Sequence, residues 1–269
     1  MDINKLFFDP AEQPLDSFPA DGGFVGIFRT IACIGDSLSS GEFVSINGEG
    51  RKSWHDMYDY SWGQYIARMA GCKVYNFSSG GMTARIYLDY FADRHGYWSH
   101  DLAAQAYIIA LGVNDIINDG LELGTVADID TADYRNNKPT FAGDYGQIIG
   151  RYREIQPKAK FFLMTMPHDR GDDSEMIRRA EAHAQLLYDM AELFSNTYVL
   201  DFMKYAPVYN EEFQDKFYLV DHMNPMGYLL TARMVVSYID YIIRHNIKDF
   251  VQVPFIGTPF YMDGMEQGK

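Results

Sequence analysis

The stretch Thr30-Ile31-Ala32-Cys33-Ile34-Gly35-Asp36-Ser37-Leu38-Ser39 is an apolar run that breaks at Gly35 into small and polar residues. So short a run, without polar alternation, reads as a strand buried on both faces, as in a parallel sheet covered by helices. A strand that stops at Gly-Asp-Ser exposes the serine hydroxyl at its carboxyl end. The N–H groups opening the next helix can then face a developing anion. Ser37 is therefore a candidate nucleophile, against the alternative that Gly, Asp and Ser serve only as turn chemistry.

Four more runs of this kind lie at 73–77, 106–112, 160–166 and 197–202. Helical patterns separate them, at 61–70 with Gly71 as a stop, at 144–155 and at 174–194. Strands alternating with helices predict an α/β fold, a three-layer α/β/α sandwich around a five-stranded parallel sheet, with the site at the carboxyl ends of the strands. The expected organisation is one domain over 1–269, with an N-terminal extension (1–28) and a C-terminal tail (247–269). Pro254 and Pro259 keep the apolar, aromatic tail from forming a regular helix. It either packs back on the domain or serves as a surface between copies in a homo-oligomer.

The chain has 269 residues, 47% of them hydrophobic, enough for a sizeable core. Its 23 basic and 37 acidic side chains give a net charge of −14, which opposes nucleic acid and anionic membranes as partners. The opening residues have no leader pattern and no long apolar span follows, so a cytoplasmic protein is expected. Cys33 and Cys72 read as free thiols. The histidines show no metal-binding spacing, and neither metal nor cofactor is expected. Asp128, Asp130 and Asp133 lack the glycine and glutamate of a calcium loop and read as a solvated acidic loop.

Three other strand ends complement Ser37. Ser78-Ser79-Gly80-Gly81-Met82-Thr83 has glycines that let a backbone N–H approach a ligand; Gly112-Val113-Asn114-Asp115 offers the Asn114 amide. Asp221-His222-Met223-Asn224-Pro225 puts a histidine just before a long helix that Asn224 caps and Pro225 opens. Segments 41–60 and 118–141 break the strand–helix alternation and would hang over these residues, with Trp54 or Trp62 as a substrate platform. His168, at the end of the fourth strand, is a candidate substrate contact, and Asp201, at the end of the fifth, reads as a turn or cap acceptor.

In the order and spacing of these four blocks, over roughly residues 30–245, the chain resembles the GDSL-type lipases and esterases, or SGNH hydrolases. The resemblance implies a flavodoxin-like sandwich with Ser37 as nucleophile and His222 as general base and then acid. The N–H groups of Ser37 and Gly81 and the side chain of Asn114 would form the oxyanion hole. The family usually has an aspartate three residues before the histidine, where this chain has Leu219. Asp221 is a candidate substitute, but neighbouring side chains tend to diverge, which favours a backbone carbonyl from 218–220 as the group holding the ring. The activity implied is hydrolysis of short acyl esters through an acyl-enzyme, with O-acetylated carbohydrate among the substrates. The alternatives are a lysophospholipase or thioesterase, which a long apolar groove beside Ser37 would mark, and a catalytically inactive carbohydrate-binding relative.

Overall fold

The computed structural model describes residue 7, residues 9–168 and residues 174–264. Residues 1–6, on which the expected lack of a leader rests, and 169–173, just after His168, lie outside the described residues, as do 8 and 265–269. Strand β1 (Thr30–Gly35) is followed by an antiparallel hairpin, β2 (Glu42–Ile46) and β3 (Lys52–Asp56). Then come β4 (Lys73–Ser78), β5 (Ala106–Ala110), β6 (Lys160–Met164) and β7 (Thr197–Leu200), and a short ribbon, β8 (Tyr218–Leu219) with β9 (His222–Met223). The five expected strands form one parallel sheet in the order β4-β1-β5-β6-β7. Because the chain moves from β1 outward to β4 and then back across to β5, the strand order reverses beside β1. Such a switch point opens a crevice at the carboxyl ends, and Ser37 lies in it.

Side chains on β1 alternate between two cores. Ile31 and Cys33 join α1 (Trp62–Ala70) on one face; Ala32 and Ile34 join α2 (Phe141–Ile155) and α3 (Ser174–Leu193) on the other. The first face is completed by α4 (Pro225–His245). Local chemistry sets the helix ends. Ser61 Oγ accepts the Gln64 N–H at the start of α1, and Gly71, at φ 63°, ends it in the left-handed region. Asn224 Oδ1 accepts the N–H groups of Met226 and Gly227 to open α4, with Pro225 in its first turn.

The extension straps onto α4: Glu12 pairs with Arg244, and Ser237 Oγ donates to Pro14 O. The tail packs back on the domain, with Phe250, Val253 and Ile256 buried and Val253 O accepting Gln105 Nε2. Segment 118–141 runs along α2 and α3 instead of hanging over the site. Its aspartates close turns: Asp128 accepts the Thr125 N–H, Asp130 those of Ala132 and Asp133, and Asp133 that of Arg135. Asp201 caps the helix Phe202–Tyr205, accepting the Lys204 N–H. No described helix is long and apolar enough to cross a membrane.

Candidate active site

Ser37 opens a four-residue helix at the end of β1, Ser37–Ser40. Asp36 caps it by accepting the Leu38 N–H at 3.0 Å, and its burial pushes the carboxyl up to about 6. On one side of β1, β4 ends in the turn that holds Gly81 at φ 67°, a conformation that favours glycine. A Cβ on Gly81 would meet nothing within 4 Å, so this turn faces open space. On the other side, β5 leads to Asn114, whose Oδ1 accepts Asn118 Nδ2 at 2.8 Å and whose Nδ2 donates to Met82 O at 3.1 Å. The amide is thereby fixed with nitrogen toward the Gly81 loop, and one N–H is left over. Asp115 ties the same two loops from behind: Oδ1 accepts the Ala84 N–H at 2.8 Å, Oδ2 is buried without a partner among the described residues, and burial raises the carboxyl to about 7.

His222 begins β9, after a two-residue turn in which Val220 takes φ 65°. This left-handed conformation is rare for a β-branched residue, and it turns Asp221 back toward the ring. Asp221 Oδ1 lies 3.4 Å from His222 Nδ1, so the neighbouring side chain does not diverge as expected. No described backbone carbonyl holds the ring, and the expected candidate at Tyr218 accepts Asn224 Nδ2. Asp221 Oδ2 is bound at 2.7 Å to Lys52 of β3, which pulls that carboxyl below its usual range.

The other ring nitrogen, Nε2, is 3.1 Å from Glu42 Oε1 of β2. This pair is the more enclosed, with side chains 13% and 17% exposed, against 46% for Asp221. Burial raises the Glu42 carboxyl, as do Asp56 and Asp221, while His222 opposes the rise. Sequence reasoning missed both Glu42 and Lys52. The available signal was the hairpin itself, a short apolar alternation ending at Asn47-Gly48.

Reached at Leu38 and Val113, the residues next to Ser37 and Asn114, lies a largely apolar cleft of about 330 Å3 whose lining also includes Ile117, Met166, Pro167, Met176, Ile177, Ala180, Met203 and Tyr209, with Gln214, Tyr218 and Asp221 as its polar members. A smaller recess continues it inward past Met164 and Met223. Trp62 is a core residue of α1 rather than a platform. Trp54, 55% exposed, shares the hairpin face of Glu42 and Lys52 but lines neither cavity. His168 lies one residue past the cleft lining; its carbonyl accepts the Tyr209 N–H, and its Nδ1 is buried without a partner among the described residues. No described cluster of His, Cys, Asp and Glu side chains has the geometry to hold a metal ion.

Comparison with known structures returns the same architecture. A family two carbohydrate esterase from Clostridium thermocellum, bound to cellohexaose, superposes with a TM-score of 0.55 at 18% identity, over 80% of this chain and 64% of its own. A protein from Lactobacillus plantarum gives 0.55 at 18%, over 79% and 97%. A Corynascus carbohydrate esterase of the same family gives 0.51 at 14%, over 78% and 65%. At these identities the likeness is one of fold. No curated protein matches. The model of the GDSL-like lipase/acylhydrolase family, however, runs from residue 33 to residue 230, from within β1 through the Gly81, Asn114 and His222 segments to the start of α4. This chain belongs to the GDSL-like lipase/acylhydrolase family.

Proposed function

We propose that the protein is a serine ester hydrolase that works through an acyl-enzyme, with Ser37 as nucleophile and His222 as base. The observation that carries this reading is the convergence of Ser37, Gly81 and Asn114 from the ends of three adjacent strands, β1, β4 and β5. As Ser37 Oγ adds to the ester carbonyl, its proton passes to His222, and the carbonyl oxygen becomes an anion facing the N–H groups of Ser37 and Gly81 and Asn114 Nδ2. Collapse returns the proton to the leaving alcohol. Water, deprotonated by His222, then adds to the acyl carbonyl, and collapse releases the acid as His222 returns the proton to Ser37 Oγ. His222 carries every proton transfer and the three donors only hydrogen-bond to the oxyanion, so the scheme draws on no cofactor.

The apolar cleft supports an acyl group longer than acetyl. An acetyl methyl would leave most of the cleft wet against methionine and aliphatic walls, whereas a medium-length chain buries them. This weighs toward the longer-acyl alternative and away from a deacetylase, while the polar hairpin face is suited to the alcohol. The substrate would be a neutral small-molecule ester. The test is turnover of p-nitrophenyl esters from acetate to decanoate. Ser37→Ala should abolish it, and kcat/KM should rise at least about tenfold from acetate to the best chain. Turnover that survives Ser37→Ala contradicts the mechanism; a maximum at acetate contradicts the role of the cleft. Absence of turnover with every ester would leave the inactive binding relative.

A further inference from the structure

We propose that Glu42 determines specificity for the alcohol: it accepts a hydroxyl from a polyol ester, and the substrate that supplies that hydroxyl releases His222 to serve Ser37. The inference rests on the ester-hydrolase reading.

In the serine-hydrolase template Nε2 takes the nucleophile's proton, while Nδ1 faces an acid. Here Asp221 faces Nδ1, but Glu42 Oε1 occupies Nε2 at 3.1 Å, and Ser37 Oγ has no hydrogen-bond partner among the described residues. Nε2 cannot donate to Glu42 and accept from Ser37 at once, so the resting site is closed at its base. Glu42 is held firmly in place. Its carbonyl accepts Tyr228 OH at 2.6 Å, and its Oε2 lies so close over Gly80 that a Cβ there would come within 2.3 Å. A carboxylate this enclosed needs a donor if it is to give up the imidazole.

A polyol ester brings that donor to the right place. The leaving oxygen must come within about 3 Å of Nε2 to receive its proton. Glu42 Oε1 is already that close to Nε2. A hydroxyl on the carbon beside the ester lies about one hydrogen-bond length from the leaving oxygen and so within reach of Oε1. A simple alkyl ester offers Glu42 nothing in exchange. An anionic head group is opposed as well, because Asp36, Asp56 and Asp221 surround the pair and the nearby cation, Lys52, is bound to Asp221.

The experiment compares glycerol monohexanoate with propyl hexanoate, which share an acyl group and differ in hydroxyls, on wild type, Glu42→Ala and Ser37→Ala, with folding checked by circular dichroism. Wild type should prefer the glycerol ester by at least about thirtyfold in kcat/KM. In Glu42→Ala the preference should fall to within about threefold, because the loss on the glycerol ester exceeds any change on propyl hexanoate. An equal loss on both esters would make Glu42 a holder of the ring and overturn the proposal, as would an unchanged preference. If Ser37→Ala abolishes turnover in either case, the hydrolase reading stands while the Glu42 proposal fails. Turnover that survives Ser37→Ala refutes the hydrolase reading instead.

Discussion

His222 stands between two carboxylates that are not equivalent. Asp221 is half exposed and neutralised by Lys52, so its hold on Nδ1 is screened by water and salt. Asp221→Asn should therefore cost about tenfold or less in kcat, far below the ten-thousandfold of an aspartate on which the histidine tautomer depends. Asn114 is different, because its spare N–H gains most as the oxyanion forms. Asn114→Ala should lower kcat about a hundredfold with little change in KM, and steady-state kinetics that showed a rise in KM alone would make it a binding residue. Ser37, Gly81, Asn114 and His222 could be named as candidates from the sequence because each lies in a short local block with its own turn or cap chemistry. Glu42 was not, because its contact with His222 joins residues 180 positions apart in the numbering and depends on how the hairpin packs.

The sheet strands could be read from the sequence because a fully buried parallel strand is a continuous apolar run. The expected ends of β5, β6 and β7 overran by two residues where the chain leaves the ladder, as at Leu111 and Gly112 after β5, while that of β4 fell one short. The β2–β3 hairpin was read only as a loop. All of β3 is exposed and Glu42 is acidic, so the pattern carries little burial signal, although the hairpin delivers Lys52 to Asp221 and Glu42 to His222. The Asp221 side chain was misplaced because a left-handed Val220 is not what a valine predicts. At the same scale, Ser61 caps α1 and is fully buried, and its Oγ also donates to Tyr58 O. Ser61→Ala should lower stability by about 1–2 kcal/mol in chemical denaturation, with Ser37-dependent turnover retained.

Over the whole molecule, buried ionisable groups oppose one another in pH dependence. Asp115, raised to about 7 by burial, binds a proton in the fold at pH values where the unfolded chain does not. Its contribution is fully present below about pH 4 and is lost as pH rises through 7. Asp36, raised to about 6, acts in the same sense. His183, fully buried against Gly112 and pushed down to about 4, acts in reverse: its contribution is present above about pH 6.5 and is lost as pH falls through 4. The two carboxyls outweigh the histidine, so wild-type stability should rise by on the order of 2 kcal/mol from pH 8 to pH 5. Asp115→Asn should lose on the order of 2 kcal/mol relative to wild type over that interval in urea titrations and so become nearly flat, because Asp36 and His183 then largely offset each other. Equal slopes for the two proteins would show that Asp115 titrates normally.

Every role proposed above depends on Ser37 being the nucleophile of an acyl-transfer site. Labelling with a fluorophosphonate, followed by intact mass and peptide mapping, tests it most directly. One adduct per chain is expected, on Ser37, absent from Ser37→Ala and slowed in Asn114→Ala. A stoichiometric adduct on any other residue, or undiminished labelling of Ser37→Ala, would contradict it.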